Sequence, residues 1–111
     1  MSKILIPSCD DLVSMFGCDC SIDENYTQKI GFLDEDASEL NIYIGLVDDS
    51  VRIILNKNST IVNDIYMEKL EEFYFEENKQ IIKMIFNSSY KITIEIELWS
   101  KFMIKISGMV I

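Results

Sequence analysis

The end of this sequence counts in twos. In "IIKMIF" the residues Ile82, Met84 and Phe86 alternate with their neighbours, and "NSS" then turns the chain. Ile92, Ile94, Ile96 and Leu98 carry the alternation through the next run, "WSK" turns again, and Phe102, Ile104 and Ile106 complete it. Successive side chains of a strand point to opposite faces, so this pattern predicts a three-stranded antiparallel meander with one core face and one wet face. A last hairpin pivoting on Ser100 sets Ile96 opposite Ile104 and Glu95 opposite Lys105. Such a cross-strand charge pair contributes about 0.2–1 kcal/mol.

The same period governs the first half. Tyr26, Ile30 and Phe32 share a face in "YTQKIGFL", and "DEDASE" breaks that strand with charge. In "ELNIYIGLV" the residues Leu40, Ile42, Ile44 and Leu46 line one side. A two-residue loop at Asp48 and Asp49 would place Leu46 opposite Val51, Ile44 opposite Ile53 and Ile42 opposite Leu55. Ahead of these strands Ser8 can cap a short helix over Cys9 to Phe16, with Asp10 and Asp11 in its first turn and Gly17 as its left-handed terminator. One more segment, "NDIYMEKLEEFYFEEN", spaces Val62, Tyr66, Leu70 and Phe73 as a helical stripe that Asn63 or Asp64 could cap. Its aromatic density would also suit a strand. The predicted class is α+β: an antiparallel twisted sheet of five to six strands with one or two helices, the N-terminal one short. No linker, repeat or low-complexity tract divides residues 1–111, so a single domain is expected.

Composition narrows the function. With 49% apolar residues the chain can build a core, and its longest apolar runs fall far short of the roughly 20 residues of a membrane-spanning helix. The start, "MSKILIPSCDDL", has no secretory pattern, and three cysteines make no disulfide framework, so a reducing cytoplasmic location is expected. The net charge of −9, without histidine, repels nucleic-acid backbones and anionic membranes and attracts basic partners.

Visible chemistry is sparse. "FGCDCSIDEN" holds Cys18 and Cys20 one residue apart, and with Cys9 and Asp19 or Asp23 they could be assembled into a metal site. Zinc, however, commonly takes paired C-x₂₋₄-C or histidine ligands. A redox dithiol would open a helix, whereas these cysteines follow a helix end. The plain alternative packs one thiol under the sheet edge and leaves the other partly exposed. A calcium loop begun at Asp19 fails at its sixth position, Glu24, and its twelfth, Ile30. Lacking histidine, the chain lacks the commonest general base, and its isolated glycines build no phosphate loop. Neither catalysis nor any cofactor is expected.

What remains is acid, in three groups. Asp10, Asp11, Asp19, Asp23 and Glu24 surround the first helix and the loop after it. Asp34, Glu35, Asp36 and Glu39 form the second group. Glu68, Glu71, Glu72, Glu76 and Glu77 form the third, threaded with Tyr66, Phe73, Tyr74 and Phe75. Aromatic anchors in a field of acids suit a binder of a basic cleft; alternatively, the aromatics face the core and the acids only solvate the outside.

The order of these pieces resembles a known family. The helix end "DDLVSMFG", the acidic loop, the alternating strands, "FYFEENKQIIKMIF" and the closing pair "YKITIEIELWSKFMIKISGMVI" are similar to the small immunity proteins of bacterial polymorphic-toxin systems. The likeness is greatest to the family numbered fifty, with Phe16, Gly17, Phe75, Asn78, Ile81 and Ile82 at the matching points. The chain departs from that family at "CDCSIDEN" and at "NDIYMEKLEE", which looks more helical than the family's strand. The resemblance implies a cytoplasmic protein that binds a cognate protein toxin domain and blocks it sterically. It carries over no catalytic residues and implies no direct contact with nucleic acid or membrane. On the charge pattern the partner is expected to be basic, such as a nuclease. The partner-binding candidates are Asp19, Asp23, Glu24, Asp34, Glu35, Asp36, Glu68, Glu71, Glu72, Tyr74, Glu76 and Glu77. The competing reading is a phage or mobile-element inhibitor that mimics DNA, of anti-restriction or anti-CRISPR type.

Overall fold

The structure, a computed structural model, describes residues 5–87, 90–99 and 101–110. These form one helix and nine strands in two antiparallel sheets. Helix α1 (Cys9–Phe16) leads into β1 (Asp19–Ile22), β2 (Thr27–Leu33), β3 (Glu39–Gly45), β4 (Ser50–Lys57) and β5 (Thr60–Met67), which pair in that order. The second sheet runs β6 (Leu70–Glu76), β7 (Ile81–Asn87), β8 (Tyr90–Glu97) and β9 (Met103–Val110). The class is α+β as expected, but the one twisted sheet is two.

Ser8 caps α1 by accepting from the Asp11 N–H, and Gly17, at φ 64°, returns its own N–H to the Val13 carbonyl. The helix buries Leu12 completely. The inner faces of both sheets contribute to a common core, with Ile30, Ile42, Ile44 and Ile53 from the first sheet and Ile82, Met84, Phe86, Ile94 and Ile96 from the second. The closing meander has the expected register, Ile96 opposite Ile104 and Glu95 opposite Lys105. Its turn residues Ser88, Ser89 and Ser100 lie outside the described residues.

The helix expected across Asp64–Phe75 is instead β5 and β6, joined at Glu68–Lys69, where Lys69 takes a left-handed φ of 62°. Of its stripe, Val62 and Tyr66 are exposed while Leu70 and Phe73 are buried. The register slips between Leu70 and Glu72, so Glu71 is a bulge. The extra residue turns Leu70 and Phe73, three apart, onto one face. That spacing imitates a helix. The segment is strand.

The hairpin between β3 and β4 also differs. The pairs are Ile44 with Val51, Ile42 with Ile53 and Leu40 with Leu55, two residues from the expected register, around a four-residue loop. A two-residue loop of Asp48–Asp49 would need both in left-handed or mirror-turn conformations, which aspartate adopts less readily than glycine. Asp49 alone is left-handed, at φ 58°, and its N–H donates to the Gly45 carbonyl at 2.9 Å. Asp48 folds back to accept from the Ser50 N–H (3.2 Å) and hydroxyl (2.7 Å), which holds its carboxyl below its ordinary pKa. A side chain at Gly45 would collide with Asp48 and Ser50. Because the shift is even, the predicted core residues keep their face.

Consecutive strands run in opposite directions, so alternate connections meet at one end of each sheet. One end gathers the α1–β1 link, the β2–β3, β4–β5 and β6–β7 turns and the β8–β9 link. Edge-to-face rings cross the sandwich there: Phe16 lies 6.4 Å from Phe75 and 6.1 Å from Phe32, which lies 6.5 Å from Phe102. This is the phenylalanine end. The far end holds the β1–β2 and β3–β4 turns and the β5–β6 corner, tied by Leu70 N–H to the Asp49 carbonyl at 3.0 Å.

Candidate protein-binding surface

Two of the candidate acids build turns. The Asp23 carboxylate accepts from the N–H groups of Asn25 (2.8 Å) and Thr27 (3.0 Å), and the Asp34 carboxylate accepts from those of Asp36 and Ser38 (both 2.9 Å). In both turns the fourth residue is left-handed, Tyr26 at φ 58° and Ala37 at 61°. "DENYT" and "DEDAS" are therefore one hairpin turn used twice, with an aspartate receiving two backbone donors. Tyr26 leaves the face shared by Ile30 and Phe32 and stands exposed, while Gln28 takes the buried place. Its amide donates to the Pro7 carbonyl at 3.2 Å.

The cysteines are not three thiols. Cys9 and Cys20 form a disulfide that ties the first turn of α1 to β1, with Cα atoms 5.2 Å apart. The expectation of a chain without disulfides is corrected here: a pairing needs proximity, and the fold folds α1 back onto β1. Cys18 is the free thiol, buried, donating to the Leu12 carbonyl at 3.4 Å. Burial pushes its pKa up, against an opposing backbone hydrogen bond, and the nearby Asp19 charge adds a smaller push in the same direction as burial. Among the described residues no group of three His, Cys, Asp or Glu side chains is placed to hold a metal ion. No helix among them is long and apolar enough to cross a membrane.

The three acidic groups of the sequence are redistributed. Asp19 heads β1 and so lies at the phenylalanine end with Asp34, Glu35, Asp36 and Glu39, where Lys101 reaches Asp36 at 3.6 Å. Glu76 closes β6 and Glu77 follows it in the turn at this same end, with Lys79 at 3.7 Å from Glu76. Around them stand exposed apolar side chains: Phe75, Leu33 at 71% and Trp99 at 76% exposure. Trp99 and Leu33 are absent from the sequence candidates; a tryptophan placed in a turn was the available signal for the first. Asp23, Glu24 and Glu68 lie at the far end, with Glu71 one bulge away, held by the Asn87 amide at 2.7 Å.

Glu72 and Tyr74 face outward from β6. Glu72 accepts a hydrogen bond from the Tyr74 hydroxyl, which raises the tyrosine's pKa, with burial and then the charges of Glu72 and Glu71 adding to the effect. They line a shallow concavity of about 590 Å³ with Glu76, Lys83, Ile85 and Glu95. Across this face Tyr74, Lys83, Glu95 and Lys105 stand opposite one another in turn. Acid and base alternate here.

No protein-family model matches the chain. It is 36% identical over 78 residues to "Uncharacterized protein PM0492" of Pasteurella multocida (strain Pm70), covering 69% of this chain and 74% of that protein. It also superposes, at a TM-score of 0.80 and 13% identity, on a chain of the contact-dependent growth inhibition toxin–immunity protein complex from Klebsiella pneumoniae 342, over 96% of both chains. The fold is shared.

Proposed function

The chain belongs to the same family as PM0492 of Pasteurella multocida, and we propose that it is an immunity protein, a non-catalytic binder that holds a cognate toxin domain and blocks it. The observation that carries this reading is the shared fold, end to end, with a chain of a toxin–immunity complex. Of the two roles in such a complex, the protective one suits this chain better. The sequence has no histidine and a charge of −9, and among the described residues no group of three His, Cys, Asp or Glu side chains is placed to hold a metal ion.

The proposed contact is the phenylalanine end. There Asp19, Asp34, Glu35, Asp36, Glu76 and Glu77 surround exposed Leu33, Phe75 and Trp99, an apolar centre with a charged rim. Aromatic anchors supply affinity in such an arrangement and acids speed the encounter with a basic partner. A basic toxin such as a nuclease is the chemistry this rim would attract. A DNA mimic would need an unbroken run of carboxylates, and the alternation of Lys83 and Lys105 with Glu95 favours the compact blocker instead.

The test is coexpression with the toxin domain encoded beside the gene. Protection of growth, together with copurification of the pair, is the expected result. If cells die at full expression of this protein, the reading fails. Trp99→Ala combined with Asp36→Lys and Glu77→Lys is expected to abolish protection; full protection by this variant moves the contact elsewhere.

A further inference from the structure

A reactive thiol commonly opens a helix, where the positive end of the dipole favours its thiolate. Sequence order sets Cys18 and Cys20 after a helix end, the wrong polarity for that chemistry. The bonded pair, however, is Cys9 with Cys20, and Cys9 is the first residue of α1. Cys9 and Cys20 are half-buried, within reach of solvent, whereas the free thiol of Cys18 is buried.

A buried amide faces this bond. Gln28, only 2% exposed, donates Nε2 to the Pro7 carbonyl at 3.2 Å, to Cys20 Sγ at 3.4 Å and to Cys9 Sγ at 3.7 Å. It stands in the same inward row of β2 as Ile30 and Phe32, where an apolar side chain would serve packing alone. A bonded sulfur is a weak acceptor, but a thiolate carries a full charge that the same donor stabilises far more. The donor is in place before the bond opens, so charge can develop on sulfur without reorganisation.

The two sulfurs differ as leaving groups. Cys9 has the Gln28 amide and the positive end of α1, while Cys20, in β1, has the amide alone. Asp10 and Asp11 follow Cys9 and Asp19 precedes Cys20; all three are exposed, so water screens their charges alike and the helix end remains as the difference. The thiol that is better stabilised as thiolate leaves faster.

We propose that Cys9–Cys20 is a thiol–disulfide exchange site for a dithiol reductant, attacked at Cys20 with Cys9 as the leaving group. A thiolate of the reductant bonds to Cys20 Sγ, the Cys9–Cys20 bond breaks, and its electron pair departs on Cys9 Sγ beside the Gln28 amide. The reductant's second thiolate then attacks its own sulfur in the mixed disulfide and releases Cys20 as a thiolate. The reductant ends as a disulfide, a pair of electrons has passed to the protein, and the protons lost by the dithiol are replaced from water on Cys9 and Cys20. Helix α1 is thereby freed from β1 and held by buried Leu12 and the ring contacts of Phe16. The inference does not depend on the immunity reading.

The test uses the oxidised full chain and β-mercaptoethanol, a monothiol that halts the exchange at the mixed disulfide. Early quenching with iodoacetamide, followed by peptide mass mapping, should find the monothiol on Cys20 and the alkyl group on Cys9. A mixed disulfide mainly on Cys9, or equally on both, overturns the inference. With dithiothreitol, Gln28→Leu should slow reduction about tenfold, the loss expected when a hydrogen bond to a charge is removed. An amide that only braces the fold would act in the opposite sense, since a loosened α1 exposes the bond and speeds its reduction. An unchanged or faster rate in Gln28→Leu therefore also overturns the inference. If that variant does not fold, the mapping of the unsubstituted chain stands as the test.

Discussion

Breaking the Cys9–Cys20 bond should loosen the helix before anything else. The eight residues of α1 are too few to hold a helix alone, since isolated helices shorter than about 12–15 residues are marginal in water. Its anchors are buried Leu12, the Phe16 ring on Phe32 and Phe75, and the disulfide. The bridge spans a sequence separation of 11. Closing a loop of that length removes roughly 9–10 cal/mol/K from the unfolded chain, or about 3 kcal/mol at 25 °C. At about 2.1 cal/mol/K per residue, a chain of this size should lose about 12 °C in Tm. Urea unfolding of the oxidised protein, of the same protein with reductant, and of Cys9→Ser/Cys20→Ser should therefore separate the first from the other two, with the latter coinciding. Unfolding without reductant should expose one titratable thiol per chain, that of Cys18. Three thiols in the oxidised preparation, or a reductant effect below about 1 kcal/mol, would refute the loop-closure reasoning.

Other outcomes follow from single side chains. Asp34→Ala removes the acceptor of two backbone N–H groups and should cost about 1 kcal/mol in urea unfolding, a loss typical of a removed cap. Ala37→Gly, at a left-handed φ of 61°, should stabilise by about 1 kcal/mol, because only glycine adopts that conformation without penalty. Phe86→Ala should cost about 3–5 kcal/mol, as Phe86 is fully buried in the core of both sheets, and calorimetry would read it as a lowered Tm. Asp48 and Asp64 have folded pKa values below ordinary, so their contribution is present above the unfolded value of about 3.9 and lost as pH falls through the folded values. Acid unfolding should thus steepen below pH 4, and Asp48→Asn should flatten that slope.

The sequence was legible wherever one face was buried and the other wet. Ile96 against Ile104 could be placed to the residue because alternation and a short turn leave one register. Leu40, Ile42 and Ile44 were assigned to the core correctly although their partners were two residues away, because an even slip preserves the face. Reading failed where a local device changed the period. The bulge at Glu71 made two strand residues look helical, and Asp48 lengthened a turn by capping it. The acids misled for a related reason. Grouped by position they formed three clusters, but antiparallel strands carry alternate turns to opposite ends, so Asp19 lies with Asp34 and Glu77 rather than with Asp23. The repeated "DENYT" and "DEDAS" pattern was present in the sequence, and its meaning as a turn needed the backbone hydrogen bonds.

The strictly sequential pairing of the strands has a kinetic consequence. Within each sheet every hydrogen-bonded neighbour is also the next or previous strand in the chain, so no ladder must wait for a distant segment. Low sequence separation between partners speeds folding, and here each hairpin can close as it leaves the ribosome. The late steps are those that join the two sheets, above all the docking of Phe16 on Phe75. Mutations at Phe75 should therefore act mainly on the unfolding rate, and those in the β3–β4 hairpin on the folding rate.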